Sequence, residues 1–176
     1  MTRRRATRPP RGPGALRIRS ARPGDRSALA ALMAASPLLS RYGTTRRTAL
    51  RALARAQASG DRLTVAVTPD GRVCGVAWVL PSRILTGAAY LRLLLVAEDR
   101  QSAGAGAALL AAAERGARVV ANHLALLVTT RNAGARRFYA RHGYRHVGRL
   151  PGLTRAGLDE ALYWKTLRPP GRRLPV

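Results

Sequence analysis

Two glycines, Gly104 and Gly106, stand between an apolar run and an alanine-rich run, an arrangement that can bind an anion. The run 88–96 predicts a strand, and the alanine-rich run predicts a helix that reaches about Arg115. A helix N-terminus presents unpaired backbone N–H groups and the positive end of the helix dipole. Because glycine lets a ligand approach the backbone closely, the amides of residues 102–107 are candidate donors to a phosphate.

This turn matches neither of two common phosphate-binding motifs. A Walker A loop requires Gly-Lys followed by Ser or Thr, and the sequence contains no such tripeptide. A dinucleotide fingerprint requires glycine or alanine where Leu109 stands, and an acid about 20 residues further on, where Asn122 and His123 stand. A phosphate at this turn would therefore belong to another kind of ligand, and an ordinary strand-turn-helix junction with small residues is the alternative interpretation.

A second pair of side chains with useful chemistry, Asn132 and Tyr139, lies seven residues apart. Seven residues are about two turns of an α-helix, so both side chains share one face of the short helix predicted around them. Asn132 can also cap that helix, and Gly143 can end it. The pair predicts a polar helix face that looks into a cleft.

The remaining chain supplies elements that can position these residues. Hydrophobic periodicity and turn signals predict strands at 16–20, 62–68, 72–80, 88–96, 123–129, 144–148 and 160–167. They predict helices from an Asp25 cap to before Pro37, from Thr45 to Ala58, from the glycine turn to about Arg115, and over 133–142. Residues 81–87 are predicted as a loop, and the last two strands as joined by a long connection. This order predicts an α/β (α+β) domain with a single mixed central sheet of about seven strands, flanked by about four helices.

The composition is strongly basic, with a net charge of +24 and Lys165 as the only lysine. Such a charge attracts nucleic acid and other polyanions without specifying one, and a codon bias towards arginine explains it equally well. The Arg/Pro-rich residues 1–15 and the segment 168–176 lack the apolar residues of a core. We expect a disordered arm and a flexible tail around one domain at 16–167.

Membrane contact and secretion are not expected. The longest apolar stretches fall short of the roughly 18 residues that span a bilayer, and the basic N-terminus lacks the apolar part of a secretory signal. The single cysteine, Cys74, excludes an internal disulfide framework and fits a reducing compartment. These features predict a cytoplasmic protein.

Two blocks of the sequence resemble the GNAT superfamily of acetyl-CoA-dependent N-acetyltransferases. The first, LLLVAEDRQSAGAGAALL, is similar to motif A, whose Gln/Arg-x-x-Gly-x-Gly/Ala signature is met by Gln101, Gly104 and Gly106. The second, LLVTTRNAGARRFYARHGYRHVG, resembles the other hallmark of the family, carried here by Asn132, Ala135, Phe138, Tyr139, Arg141, Gly143 and Tyr144. The blocks stand in the family's order and at its spacing, and the resemblance covers about residues 16–167.

The resemblance implies acetyl-CoA as the co-substrate, with no metal. In the family, the strand before the glycine turn bulges and splays from its neighbour, acetyl-pantetheine pairs along it, and the pyrophosphate binds the turn. These contacts would fall to the backbone of Leu94, Leu95 and Val96 and to the turn residues Gln101, Ser102, Ala103, Gly104, Ala105, Gly106 and Ala107. Asn132 would contact the pantetheine arm, with a plain helix cap as the alternative. Tyr139 would protonate the departing thiolate, with packing beside Phe138 as the alternative.

Three features depart from the family pattern. Ser102 and Glu98 replace a common glycine and proline, and Glu98 and Asp99 would place negative charge near the phosphates. The strand before motif A carries no acid where many relatives have a glutamate. The candidates for the general base are therefore Asp159, Glu160, His146, Tyr42 or a water molecule.

The implied reaction moves an acetyl group from acetyl-CoA directly to a primary amine of a small molecule or of a peptide or protein. Residues 40–45 and Trp78 are candidate lining of the acceptor pocket, with core packing as the alternative for Trp78. The alternatives to this function are a catalytically degenerate CoA-binding or nucleic-acid-binding module, and an acetyltransferase that acts on an RNA-linked amine. A homodimer is one possible assembly.

Overall fold

The computed structural model describes residues 16–85, 87–101 and 104–167. The predicted arm at 1–15 and the predicted tail at 168–176 lie outside these described residues. Ser102 and Ala103 of the predicted anion-binding turn also lie outside them. The chain that is described includes every predicted strand and helix.

Seven strands form one mixed sheet in the order β1-β2-β3-β4-β5-β7-β6. Their bounds are Arg17–Ser20 (β1), Arg62–Val67 (β2), Val73–Leu85 (β3), Ala88–Val96 (β4), His123–Thr129 (β5), Arg145–Arg155 (β6) and Leu158–Thr166 (β7). Strands β4 and β5 are parallel, and the other neighbours are antiparallel. The predicted fold class is confirmed.

Five α-helices flank the sheet in the described part of the chain: α1 (Arg26–Ala34), α2 (Pro37–Ser40), α3 (Arg46–Ala58), α4 (Ala105–Ala117) and α5 (Ala133–Arg141). The prediction missed the four-residue α2, which begins where Ser36 accepts a hydrogen bond from the Leu39 N–H. Thr45 caps α3 through the Thr48 N–H. Of the helices described, none has the length and apolar character needed to cross a membrane.

Asp25 precedes α1 but does not cap it with its side chain, so that prediction was wrong. Its carboxylate instead accepts hydrogen bonds from the Arg19 guanidinium at 2.6 and 2.9 Å and from the Arg22 N–H at 2.6 Å. The hydrogen-bonded Arg19 guanidinium lowers the pKa of Asp25 below its usual value. Asp25 therefore ties β1 to the turn that leads into α1.

Two predicted loops are strand instead. Strand β3 continues through Pro81 to Leu85, and β6 continues through Pro151 to Arg155, two residues before Gly157 turns the chain into β7. The pairing register shifts at both prolines, between Leu80 and Leu85 and between Leu150 and Arg155. Bulges and sheet edges accommodate prolines that otherwise signal a loop.

The sheet separates two apolar clusters. One cluster packs α4 and α5 against the sheet and includes Leu109 and Leu124, and the other packs α1 and α3 and includes Leu29 and Leu53. Near the end of β4, the side chains of residues 93–96 alternate between the two clusters. A gap in the sheet at this strand therefore opens towards both layers.

Candidate active site

The cleft begins where β4 and β5 stop pairing. Their parallel pairing ends at Leu91 and Leu126, although β4 stays paired with β3 as far as Val96, and β5 stays paired with β7 as far as Thr129. Both strands thus continue in the sheet but diverge from each other. The divergence that the family resemblance implies is therefore present in this chain.

A bulge in β4 marks the same position. Trp78 pairs with Leu93 and Val79 pairs with Leu91, so Arg92 is an extra residue in the β3–β4 ladder. A bulged strand bends locally and gains twist. Arg92 thus marks the bend at which β4 leaves β5.

Beyond the bulge, the open edge of β4 presents unpaired backbone groups to the cleft. The Ala97 N–H donates to the Cys74 carbonyl of β3 at 2.8 Å. Because backbone groups alternate sides along an antiparallel ladder, the groups of Leu95 also face β3, and those of Leu94 and Val96 face the cleft. Gln101 Nε2 donates to the Val96 carbonyl at 3.4 Å, which agrees with this direction.

The first turn of α4 lies beyond this edge with free amides. The Ala108 N–H donates to the Gly104 carbonyl at 3.0 Å, so the N–H groups of Ala105, Gly106 and Ala107 precede the first bond of the helix. Of the described residues, none caps α4 with a side chain, and its first turn carries no acid. This N-terminus therefore has both the donors and the dipole that an anion requires.

The structure requires glycine at one of the two glycine positions of the turn but not at the other. Gly104 has φ +76°, a left-handed conformation that favours glycine, and a Cβ on it would meet open space. A Cβ on Gly106 would lie 3.6 Å from the Phe138 ring, which is ordinary contact distance. Backbone conformation therefore requires glycine at position 104, while alanine would fit at position 106.

The acidic residues before the turn are largely compensated. Asp99 is exposed and forms ion pairs with Arg72 at 2.6 Å and with Arg100 at 3.6 Å. The hydrogen bond from Arg72 lowers the pKa of Asp99. The negative charge expected near the phosphates is thus offset at Asp99 by two guanidinium groups.

Asn132 and Tyr139 both line the cleft, as their helical spacing predicts. Asn132 caps α5, because its Oδ1 accepts a hydrogen bond from the Ala135 N–H at 3.0 Å. Tyr139 is 8% exposed, and its ring packs edge-to-face on Phe138 and Tyr144. Burial raises the pKa of Tyr139, so its phenol keeps its proton at neutral pH. Cleft lining therefore coexists with the capping and packing roles.

The cleft has a volume of about 660 Å³ and mostly apolar or aromatic walls. Trp78, Tyr90 and Tyr42 supply the aromatic surface. Of the described residues that line it, Arg92 and Glu160 are the charged ones, and the Arg92 guanidinium lies 5.0 Å from the centre of the Trp78 ring. Trp78 is 4% exposed and packs in the α1–α3 core as well as lining the cleft, so the predicted core packing is observed and its role towards an acceptor stays a prediction.

Two of the predicted base candidates meet in this cleft. Glu160 is 4% exposed, and its Oε1 lies within hydrogen-bonding distance of the hydroxyls of Thr154 at 2.9 Å, Thr129 at 3.3 Å and Tyr42 at 3.4 Å. The Tyr42 and Thr129 hydroxyls also bond each other at 2.7 Å, so one of these two donates to the other and not to Glu160. The loop after α2 is thereby joined to the ends of β5 and β7.

The other two candidates lie outside the residues that line the cleft. Asp159 precedes Glu160 on β7 and so points to the opposite face, where its carboxylate binds Arg149 and the Gly152 N–H. The hydrogen-bonded Arg149 lowers the pKa of Asp159. His146 is exposed on the edge strand β6, with its ring 5.5 Å from that of Tyr163.

Sequence reasoning missed Thr129 and Thr154 as partners of Glu160. Thr129 had a usable signal, because it is a polar residue at the end of a buried strand. Thr154 had none, because it lies in a segment predicted as a connection. Among the described residues, no group of three or more His, Cys, Asp and Glu side chains could hold a metal ion.

The fold matches that of solved acetyltransferases. A Desulfovibrio desulfuricans protein described as a GNAT-family acetyltransferase shares 23% identity at a TM-score of 0.73, over 88% of this chain and 100% of that chain. A Salmonella typhimurium acetyltransferase solved with its cofactor acetyl-CoA shares 18% identity at a TM-score of 0.72, over 90% and 98%. A ribosomal-protein-alanine N-acetyltransferase from Brucella melitensis shares 23% identity at a TM-score of 0.70, over 86% and 99%.

The fold and the cleft thus define an acetyltransferase architecture. The sequence profile of the acetyltransferase (GNAT) domain matches residues 42–158, which is more than half of the chain. The chain belongs to the GNAT acetyltransferase family, which uses acetyl-CoA. Among curated proteins, none matches the sequence.

Proposed function

We propose that this protein transfers the acetyl group of acetyl-CoA directly to a primary amine of a small molecule or a peptide, and that it does so in the cytoplasm. The observation that carries the proposal is the open edge of β4, which leads directly to the uncapped first turn of α4. The extended thioester arm of acetyl-CoA can pair with the open edge of β4, and its pyrophosphate can bind the first turn of α4.

The coenzyme would bind chiefly through backbone groups. Leu94 and Val96 offer cleft-facing amides and carbonyls to the pantetheine arm, while Leu95 pairs with Val76 of β3. The amides of Ala105, Gly106 and Ala107 would donate to the pyrophosphate, and Gln101, Ser102, Ala103 and Gly104 complete the proposed turn. Asn132 uses its Oδ1 to cap α5, which leaves its Nδ2 as a donor to the arm.

The chemistry would be direct attack of the amine on the thioester carbonyl. The cleft-facing N–H of Leu94 can stabilise the oxyanion that forms, an interaction that is strong where water is excluded. Tyr139 would give its phenolic proton to the thiolate of coenzyme A as the C–S bond breaks. Its buried, protonated phenol and its place in the cleft support this role.

A polyanion-linked acceptor has one observation in its favour. Residues 131–155 contain seven arginines and no acidic residue. An enzyme for an RNA-linked amine, or a binding module without turnover, would use such a surface, and its binding would weaken steeply with salt. Acetyl-CoA itself does not require a net charge of +24, because backbone amides can bind its phosphates.

The test combines binding with turnover. Acetyl-CoA at about 100 times its dissociation constant should stabilise the fold by roughly 2.7 kcal/mol, which a thermal melt detects. Release of free thiol from acetyl-CoA should then depend on an added primary amine. A melt unchanged by millimolar acetyl-CoA would refute the proposal, and binding without release towards any amine would favour a degenerate module.

A further inference from the structure

We infer that the acceptor is a small cationic amine, whose ammonium group is bound and deprotonated by Glu160 inside the cleft. This inference rests on the proposed acetyl transfer and deepens it, because it assigns the acceptor class and the base. Three features of the acceptor side of the cleft support it: a buried carboxylate without a countercharge, aromatic walls, and the attachment of the loop after α2 to β5 and β7 through Tyr42.

The first feature is the missing countercharge of Glu160. Burying a carboxylate is costly unless a cation or a full set of hydrogen bonds compensates it. Within the described part of the chain, Glu160 has no ion pair, although the protein carries 32 basic residues. Its hydrogen-bonding partners are neutral hydroxyls near Oε1, and because Tyr42 and Thr129 bond each other, at most two of the three can donate to it at once. A ligand ammonium would supply the absent positive charge and a partner for Oε2.

The second feature is the surface around the carboxylate. Trp78, Tyr90 and Tyr42 line the same cleft as Glu160, and aromatic faces attract cations by up to about 2 kcal/mol when desolvated. The remaining charged group of the described lining, Arg92, is exposed and lies against Trp78. A ligand with one ammonium group on an apolar body therefore fits the cleft better than a polycation.

The third feature is the attachment of the loop after α2 through Tyr42. The hydrogen bonds from Tyr42 to Thr129 and Glu160 join residues 87 and 118 positions apart in the chain. They hold the loop after α2 across the ends of β5 and β7. An extended polypeptide would have to displace this loop, whereas a small amine would not.

The ammonium loses one proton to Glu160, and the neutral nitrogen attacks the thioester carbonyl to form the C–N bond. The C–S bond then breaks, and the thiolate takes the proton of Tyr139. The nitrogen, now part of an amide, loses a second proton, which restores Tyr139 through water. Glu160 releases the first proton to solvent, so the products are the amide, free coenzyme A and one proton.

The charged and titratable groups that line the cleft with Glu160 are Tyr42 from the loop after α2, Tyr90 and Arg92 from β4, and Tyr139 from α5. Glu160 is therefore the one carboxylate among the described residues that line the cleft, so it is the described side chain there that can bind an ammonium group through charge.

The test compares two isomeric probes, 2-phenylethylamine, which is an ammonium at neutral pH, and 4-ethylaniline, which is neutral. Glu160→Gln should lower kcat/KM for 2-phenylethylamine by about 10²- to 10⁴-fold and should affect 4-ethylaniline far less, because a neutral amine needs no prior deprotonation. Asp159→Asn is the matched control, since it removes the neighbouring carboxylate on the opposite face, and it should retain activity with both probes.

Thermal melts with acetyl-CoA separate this inference from the proposed function. Glu160→Gln should keep the wild-type rise in melting temperature with acetyl-CoA, which also shows that it folds. If the wild-type protein shows no rise, the proposed function fails first. Three outcomes would overturn the inference. The wild type could bind acetyl-CoA but acetylate neither probe, or Glu160→Gln could lower kcat/KM equally for both probes, or it could lower kcat/KM for neither.

Discussion

The two sides of the cleft are built in different ways. The proposed coenzyme side, defined as the open edge of β4 and the first turn of α4, comes from one short segment at residues 93–107 and would act mainly through backbone groups. The acceptor side, defined as Glu160 with Tyr42, Trp78, Tyr90, Thr129 and Thr154, comes from separate parts of the chain and acts through side chains. Its sequence can therefore change without disturbing the coenzyme side, so we expect acceptor choice to be the more variable property.

Tyr139 is the proposed proton donor of the reaction, and its variant should show the largest effect. Tyr139→Phe removes the proposed proton donor and should lower kcat by about 10²- to 10⁴-fold, while acetyl-CoA binding changes little. Stopped assays of thiol release measure the first quantity, and melts with acetyl-CoA measure the second.

The control for this prediction is Tyr144→Phe. The Tyr144 ring packs on Tyr139 at 5.5 Å but lies outside the cleft lining, so this variant should keep its turnover. Full activity of Tyr139→Phe would leave Tyr139 as a packing residue.

The turn at Gly104 tests the coenzyme side alone. Gly104→Val should abolish the stabilisation of roughly 2.7 kcal/mol that acetyl-CoA at about 100 times its dissociation constant gives, because it places a side chain at the turn proposed to bind the pyrophosphate. Gly157→Val is a closely matched control, because Gly157 also has φ +76° and open space at its Cβ position, but it lies in the β6–β7 turn.

The two valine variants should bear similar backbone strain, so their unliganded melts should fall together. Acetyl-CoA should then rescue the Gly157 variant and not the Gly104 variant. An equal response of both to acetyl-CoA would remove the α4 turn from the coenzyme site.

The sequence was informative where function depends on local backbone. The strand 88–96, the glycine turn before α4 and the capping Asn132 were predicted, because each leaves a signal within a few neighbouring residues. The left-handed φ of Gly104 was not predicted. The cluster around Glu160 was not predicted, because it depends on the β6–β7 hairpin. Pro151 and Gly152 interrupt the apolar–polar alternation of β6. The pairing of β6 with β7, which brings Thr154 to Glu160, therefore had no clear signal in the sequence.

Asn132 allows the structural and coenzyme roles of one side chain to be separated. Asn132→Ala should lower the free energy of unfolding by about 1 kcal/mol, because the Ala135 N–H loses its cap. Asn132→Ser should restore most of that stability, since serine is also a good cap, but it should not restore acetyl-CoA affinity. Denaturant melts and acetyl-CoA titrations of both variants measure the two effects. Full affinity in the serine variant would restrict Asn132 to capping.

The smallest expected effect lies on the acceptor side, at Tyr42. Tyr42→Phe removes the hydroxyl that bonds Thr129 at 2.7 Å and Glu160 at 3.4 Å, but the side chain is 38% exposed and water can replace part of what is lost. The Tyr42 hydroxyl should therefore contribute near the low end of the range of about 0.5–1.5 kcal/mol that is typical of one hydrogen bond. A loss of this size in acceptor binding predicts a rise of roughly threefold in KM for 2-phenylethylamine.

The rise in melting temperature that acetyl-CoA gives should be the same in Tyr42→Phe as in the wild type. Gly104→Val, in contrast, should lose this rise. Tyr163→Phe is the matched control, because the Tyr163 hydroxyl accepts a hydrogen bond from Arg136 outside the cleft lining, and its loss should leave KM unchanged. If Tyr42→Phe weakened acetyl-CoA binding instead, the two sides of the cleft would be coupled through the loop after α2, and acceptor specificity could not vary independently of coenzyme binding.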